Sequence, residues 1–196
     1  MKINSTTLYE KILNPKNRCS TREQIWHLFL KDQQNKSAFL EFGVWNGRSI
    51  NYMALVRPDC DFHGFDSFEG LPENWKEGHP KGTFSTEFNK LRFRSNIFIH
   101  KGWFNETVND VKEIKEKIAG IHIDCDLGSS ANIIFDNLSE VIQDQKPMLL
   151  FDEMYNYKDY EHHEFKSFLD WINKTDLDFS VEASNLNHEQ VLIKLT

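Results

Sequence analysis

Short apolar runs of four to seven residues recur along the chain with helix-patterned stretches between them, and this alternation restricts the fold more than any single motif does. A run that is apolar throughout is buried on both faces, as in a parallel sheet covered by helices on either side. Seven strands are predicted on this basis, at Ala38 to Val44, Asp61 to Asp66, Asn96 to Lys101, Ile121 to Asp124, Met148 to Asp152, Phe179 to Ala183 and Gln190 to Leu195. The short polar stretch Asn185 to His188 joins the last two and is too short for a crossover, so the final strand should run antiparallel. The expectation is an α/β fold: a Rossmann-like seven-stranded, mostly parallel sheet with an antiparallel last strand and helices on both faces. At 196 residues the chain should be a single domain, residues 1–196, opening on an N-terminal helical segment at 1–35.

Capping and spacing place the helices. Ser20 followed by Glu23 reads as a capping box that opens a helix through about Gln34. Asn105 reads as the cap of a helix carrying Val108, Val111, Ile114 and Ile118 and ended by Gly120. Two more helices are expected from Ser130 to Gln143 and from Asp159 to Asn173. Residues 72–92 mix glycine and proline with Trp75 and Phe84, a length and composition suited to a flap over a site.

Charge and composition narrow the partners. The 23 Lys and Arg against 30 Asp and Glu leave a net charge of −7 without a basic cluster, which opposes a nucleic-acid partner. No stretch approaches 18 consecutive apolar residues, so no membrane partner is expected, and the cytoplasm is the default location. Cys19, Cys60 and Cys125 lack CxxC spacing and suit a reducing compartment.

Two crevices carry the chemistry. Glu41-Phe42-Gly43-Val44-Trp45-Asn46-Gly47-Arg48-Ser49 lies where the first predicted strand turns into a helix, the end at which open α/β sheets bind ligands. Gly43 and Gly47 permit a tight turn, but Trp45 stands where a dinucleotide fingerprint needs its second glycine, so a cofactor without a diphosphate is favoured. Asp66, followed by Ser67, ends the next strand at the position from which a carboxylate accepts hydrogen bonds from ribose hydroxyls. Gly102 and Trp103 follow the third strand, where an aromatic ring and free backbone groups can bracket an adenine.

The second crevice is acidic. Asp124 and Asp126 end one strand and Asp152 and Glu153 the next, and neighbouring strands lie only about 4.8 Å apart. Two carboxylates roughly 4 Å apart repel by about 4 kcal/mol at an effective dielectric of 20. A hard divalent cation, Mg²⁺ first and Ca²⁺ or Mn²⁺ next, would offset this, and protonation of one acid is the alternative. Asp126 could stay free of the ion as a general base. His162 and His163 point apart on a helix and read as surface residues.

The stretches LEFGVWNGRSI (40–50), FHGFDSFEGLPENW (62–75), KGWFNETV (101–108), HIDCDLGSS (122–130) and LLFDEMYNY (149–157), in this order, resemble the macrocin and mycinamicin sugar O-methyltransferases, a family of class I S-adenosylmethionine-dependent methyltransferases. The resemblance implies an S-adenosylmethionine-dependent O-methyltransferase domain acting on a hydroxyl of a sugar or glycosylated metabolite. It implies cofactor contacts from Glu41, Gly43, Trp45, Gly47, Asp66, Ser67, Gly102, Trp103 and Asp124, Mg²⁺ on Asp124, Asp152 and Glu153, and Asp126 as base. Gly128 departs from the aromatic residue common in the family, and Glu153 is longer than the Asp of some members. Two other readings compete: a nucleotide-sugar glycosyltransferase using Asp124-Cys125-Asp126 as a DxD motif, and a non-catalytic module that binds S-adenosylmethionine. The expected partner is a sugar-containing small molecule, with a homo-oligomer left open.

Overall fold

Every residue from Ala38 to Phe42 is buried, so this strand can only lie in the middle of a covered sheet. The computed structural model describes residues 2–196 and places it there. The elements in chain order are α1 (Ser5–Leu13), β1 (Asn17–Cys19), α2 (Arg22–Leu30), β2 (Ala38–Phe42), α3 (Arg48–Val56), β3 (Asp61–Asp66), β4 (Ile97–Lys101), α4 (Phe104–Thr107), β5 (Ile118–Ile123), α5 (Gly128–Gln145), β6 (Met148–Phe151), α6 (Glu164–Ile172), β7 (Phe179–Asn185) and β8 (Val191–Leu195). The strands form one eight-stranded sheet in the order β1-β7-β8-β6-β5-β2-β3-β4. Within it, β8 alone runs antiparallel to its neighbours. None of the described helices is long and apolar enough to cross a membrane.

Two apolar layers hold the sheet. On one face Phe42, Phe65, Ile121, Ile123 and Phe151 pack against α1, α5 and α6 through Leu8, Phe135 and Phe168. On the other, Phe39 and Phe62 pack against α2 and α3 through Ile25, Phe29, Ile50 and Met53. Phe39 and Phe62 stack at 5.1 Å between ring centroids and Phe42 and Phe65 at 4.6 Å, so the period-two alternation of β2 and β3 seeds both layers.

The structure corrects several local expectations. The sheet has eight strands because Asn17–Cys19, too short and polar to register as a strand, pairs in parallel with β7. Thr21, not Ser20, caps α2: its Oγ1 accepts from Gln24 N at 3.3 Å, and Gln24 Oε1 accepts from Ser20 N at 2.7 Å. The helix predicted from Asn105 to Gly120 breaks early, into α4 and a 3₁₀ turn at Val108–Glu113. Ile118 and Gly120 belong instead to β5, where a Cβ on Gly120 would stand 2.4 Å from the Phe29 ring. Close packing against α2, not helix termination, is why a glycine is there. The expected Asp159–Asn173 helix divides into a 3₁₀ turn at Tyr160–His162 and α6.

Gly120→Ala should therefore overpack the sheet–α2 interface and destabilise the fold by about 1–3 kcal/mol, read as a lower urea midpoint at unchanged slope.

Candidate active site

The C-terminal ends of β2, β3, β5 and β6 open into a cavity of about 550 Å³. Its first wall is the turn after β2. Gly43 has φ +100°, and a Cβ there would stand 1.7 Å from the Asp124 carbonyl oxygen, so glycine allows the ends of β2 and β5 to meet. Trp45, also at positive φ, projects into the opening beside Phe84, with ring centroids 5.4 Å apart. Asp66 Oδ2 accepts from Val44 N at 2.8 Å and Trp45 N at 2.7 Å, and its Oδ1 accepts from Phe68 N at 2.6 Å. A carboxylate has about four acceptor directions. Two hold this loop and one closes the turn after Asp66 itself, which leaves room for one ligand hydroxyl where the spacing suggested two.

The opposite wall is anionic. Asp152 N donates to Ile123 O and Asp124 N to Phe42 O, so β2, β5 and β6 deliver both acids to one rim. Leu127 N donates to Cys125 O at 2.6 Å with Asp126 at φ +64°, a γ-turn of the strained hand that sets the Asp126 carboxyl in the cavity wall. Beneath it Glu164, fully buried at the start of α6, accepts from Cys125 N (3.1 Å), Asp126 N (3.2 Å) and Glu153 N (3.3 Å). One carboxyl thus ties together both acidic strand ends.

Burial, reinforced by the charge of Asp152, pushes the Asp126 carboxyl up to about 7, a value suited to a base working near neutrality. Burial likewise pushes Glu164 up to about 8 against the pull of its backbone donors, and holds Asp124 and Glu153 well above the usual carboxylate range. Asp152 goes the other way: burial opposes its charge, but His122 and the Arg22 guanidinium outweigh it. Arg22 Nη2 lies 2.7 Å from Asp152 Oδ2 and 4.0 Å from Glu153 Oε1. His122, in register with Glu41 across β5 and β2, meets Glu41 Oε2 through Nδ1 at 2.9 Å, and Glu41 Oε1 accepts from Ser49 Oγ at 2.9 Å. Burial disfavours the His122 charge, yet Asp152 and Glu41 push its pKa up to about 10.

Of the residues read from sequence, Gly43, Trp45, Asp66, Ser67, Trp103, Asp124, Asp126, Asp152 and Glu153 line the cavity. Glu41 does not: it lies under the floor as the partner of His122 and Ser49. Gly47, which caps α3 at φ +77°, and Gly102 do not line it either: a Cβ at Gly47 would meet Phe93, and one at Gly102 would meet Thr107. His122, Asp124 and Asp152 offer ligand atoms within 4.8 Å of one another, a set that omits Glu153. His162 is exposed, whereas His163 packs against Trp75 and Tyr157. Those two rings meet at the start of the segment 72–92, where Lys76 Nζ lies 3.6 Å from the Trp75 ring centroid and Glu73 accepts from Ser129 Oγ at 2.5 Å. Gly128 has a local reason for its lack of side chain, since a Cβ there would stand 2.8 Å from the His162 carbonyl oxygen.

Arg22, His122 and Glu164 were not read as site residues. His122 had a visible signal, because it shares a strand face with Asp124 two residues on. Glu164 and Arg22 had none, since they reach the site through α6 and through the β1–β7 pairing that anchors the chain before α2.

Glu164→Ala would strand three buried backbone N–H groups and should cost about 3 kcal/mol or more, measured by chemical denaturation.

Comparison with known proteins agrees with this frame. A family model described as a methyltransferase domain matches residues 40–154, more than half of the chain and the span that holds both cavity walls. No curated protein sequence matches. Among solved structures, the crystal structure of CalS11, a calicheamicin methyltransferase, superimposes with a TM-score of 0.65 at 17% identity, over 88% of this chain and 76% of that one. An apo structure titled as CalS11, TDP-rhamnose 3'-O-methyltransferase, gives 0.58 at 17% identity over 87% and 76%. Human N-acetylserotonin methyltransferase in complex with SAM gives 0.50 at 12% identity, over 89% of this chain and 51% of that one. At these identities the likeness is one of fold, whereas the family match is one of sequence. The chain belongs to the methyltransferase domain family, and its sheet is the Rossmann-like frame of the class I S-adenosylmethionine-dependent methyltransferases.

Proposed function

We propose that this protein transfers the methyl group of S-adenosylmethionine to a hydroxyl of a sugar or glycosylated metabolite, assisted by a divalent cation, Mg²⁺ or a relative of it. The observation that carries this reading is one cavity with two unlike walls: a glycine turn with Asp66 and aromatic rings on one side, and Asp124, Asp126, Asp152 and Glu153 on the other. The volume of about 550 Å³ suits a small-molecule ligand. Three atoms on the acidic side, His122 Nε2, Asp152 Oδ1 and Glu153 Oε2, are buried without a hydrogen-bond partner, which fits a bound cation.

When bound, S-adenosylmethionine supplies an electrophilic methyl on a sulfonium, and a cation on Asp124 and Asp152 lowers the pKa of an acceptor hydroxyl. The chain's own residues do the rest. The Gly43 turn and Asp66 shape and hold the donor side, with one carboxylate direction left for a ribose hydroxyl. Asp126 takes the acceptor proton as the new C–O bond forms and the C–S bond breaks, and its strained turn holds the base in place. Trp45 and Phe84 narrow the mouth and exclude water from the reacting groups. Lys76 and Arg22 moderate the charge of Asp126, drawing its pKa back towards neutrality.

Asp126→Asn should keep S-adenosylmethionine binding by calorimetry while methyl transfer falls at least ~100-fold. Asp124→Asn should in addition abolish any stimulation by divalent cations. Isotopically labelled methyl donor, incubated with a panel of glycosides and glycosylated metabolites with and without chelator, tests the whole scheme. Cation-dependent label in a glycoside is the expected result. Full activity of both variants in chelator would remove the base-and-cation mechanism, and donor binding with no transfer to any acceptor would favour a binding module.

A further inference from the structure

His122 lies at the bottom of the acidic wall, fully buried, and its two ring nitrogens have different surroundings. Nδ1 meets Glu41 Oε2 at 2.9 Å. Nε2 has no hydrogen-bond partner and faces Asp152 Oδ1 at 3.8 Å, an oxygen that is itself buried and unpartnered. The third atom is Asp124 Oδ2, 4.0 Å from Nε2. At 3.8 and 4.0 Å these are contacts too long for hydrogen bonds, and a cation entering between them takes the place of the Nε2 proton while Nδ1–H stays on Glu41.

We propose that His122 Nε2, Asp124 Oδ2 and Asp152 Oδ1 together form the cation site, with Glu41 orienting the imidazole and Glu153 left outside. The ion they select belongs to the borderline class that accepts nitrogen (Mn²⁺, Fe²⁺, Co²⁺ or Zn²⁺) in preference to Mg²⁺. This rests on the cation-assisted reading above and replaces its all-carboxylate ligand set.

Reach comes first. An ion bonded to an imidazole nitrogen and a carboxylate oxygen at about 2.0–2.2 Å holds them about 3.0–3.4 Å apart at octahedral or tetrahedral angles. The observed 3.8 and 4.0 Å, in a group whose ligand atoms all lie within 4.8 Å of one another, close to that range with side-chain shifts of about 1 Å or less. Orientation comes next. Asp152 Oδ2 is already engaged by Arg22 at 2.7 Å and Gln190 Nε2 at 3.3 Å, which turns Oδ1 towards His122. Arg22 thus positions the ligand and offsets its charge without filling the site. Glu41, in register with His122 and buried beside it, directs the imidazole as carboxylates commonly do behind metal-bound histidines. Access is one-sided: the side chain of Asp124 is 28% exposed and borders the cavity, while His122 and Asp152 are at 0% and 1%. Open coordination positions would therefore face the cavity, where an acceptor hydroxyl arrives. Selectivity follows from the donor set, since one imidazole with two carboxylates suits borderline ions and Mg²⁺ prefers oxygen ligands and water.

The test is pulsed EPR on the full-length protein, stripped with chelator and loaded with Mn²⁺, together with calorimetric titration of Mn²⁺, Co²⁺ and Mg²⁺. Directly bound imidazole should give ¹⁴N modulation in the wild type, with no such signal in His122→Gln. Mn²⁺ and Co²⁺ should bind at least ~10-fold more tightly than Mg²⁺. Glu41→Gln should weaken Mn²⁺ binding by about 10–100-fold while keeping the ¹⁴N signal, so the assignment stands or falls even if His122→Gln does not fold. Mn²⁺ bound without ¹⁴N modulation, and lost in Glu153→Gln, would overturn the His122 assignment and leave the cation reading intact. No Mn²⁺, Co²⁺ or Mg²⁺ binding by the wild type would overturn both.

Discussion

Adjacent parallel strands end side by side, so acids placed at the ends of β5 and β6 have no means of avoiding one another. Asp124, Asp126, Asp152 and Glu153 are crowded at one rim with Glu164 beneath them, in surroundings that disfavour charge. Much of the local structure answers this repulsion. Arg22 is brought over Asp152 from the first turn of α2, a place where the helix dipole disfavours a cation, so the acids rather than the helix account for its position. Glu164 gathers three backbone N–H groups, and His122 lies between Glu41 and the two aspartates. Such concentrated and incompletely compensated charge is costly to a fold and is characteristic of a site that acts on something.

The neutral wall is made differently. Its key requirement is steric: without a side chain at position 43, the backbone after β2 can touch the end of β5, and the glycine turn and the acidic side share one space. The Asp66 carboxylate then holds the loop through Val44 N and Trp45 N.

Much of this was legible before any coordinates. Apolar runs revealed the central strands because they are buried on both faces, and the glycine turn and acids fell at strand ends, where α/β sheets place ligands. Short and edge elements escaped because their signals are not local. Strand β1 has three residues and owes its existence to β7, while the apparent helix from Asn105 to Gly120 had the right spacing but yielded where Gly120 packs on Phe29. In the site, Glu153 and His122 show the same limit. His122 lies two residues before Asp124 and Glu153 follows Asp152, and it is the β5–β6 register, pairing His122 with Leu150, that puts His122 on the face of Asp152 while Glu153 falls outside the three close ligand atoms.

The sequence by itself determined the fold class, the end of the sheet at which the cavity opens, and the acids and one glycine, Gly43, that line it, because strand periodicity and strand-end position are properties of neighbouring residues. Only the tertiary structure decided which distant groups hold them. Arg22 lies 130 positions from Asp152, Glu41 81 from His122 and Glu164 39 from Cys125, and such pairings follow from strand order and helix packing, which no local pattern encodes.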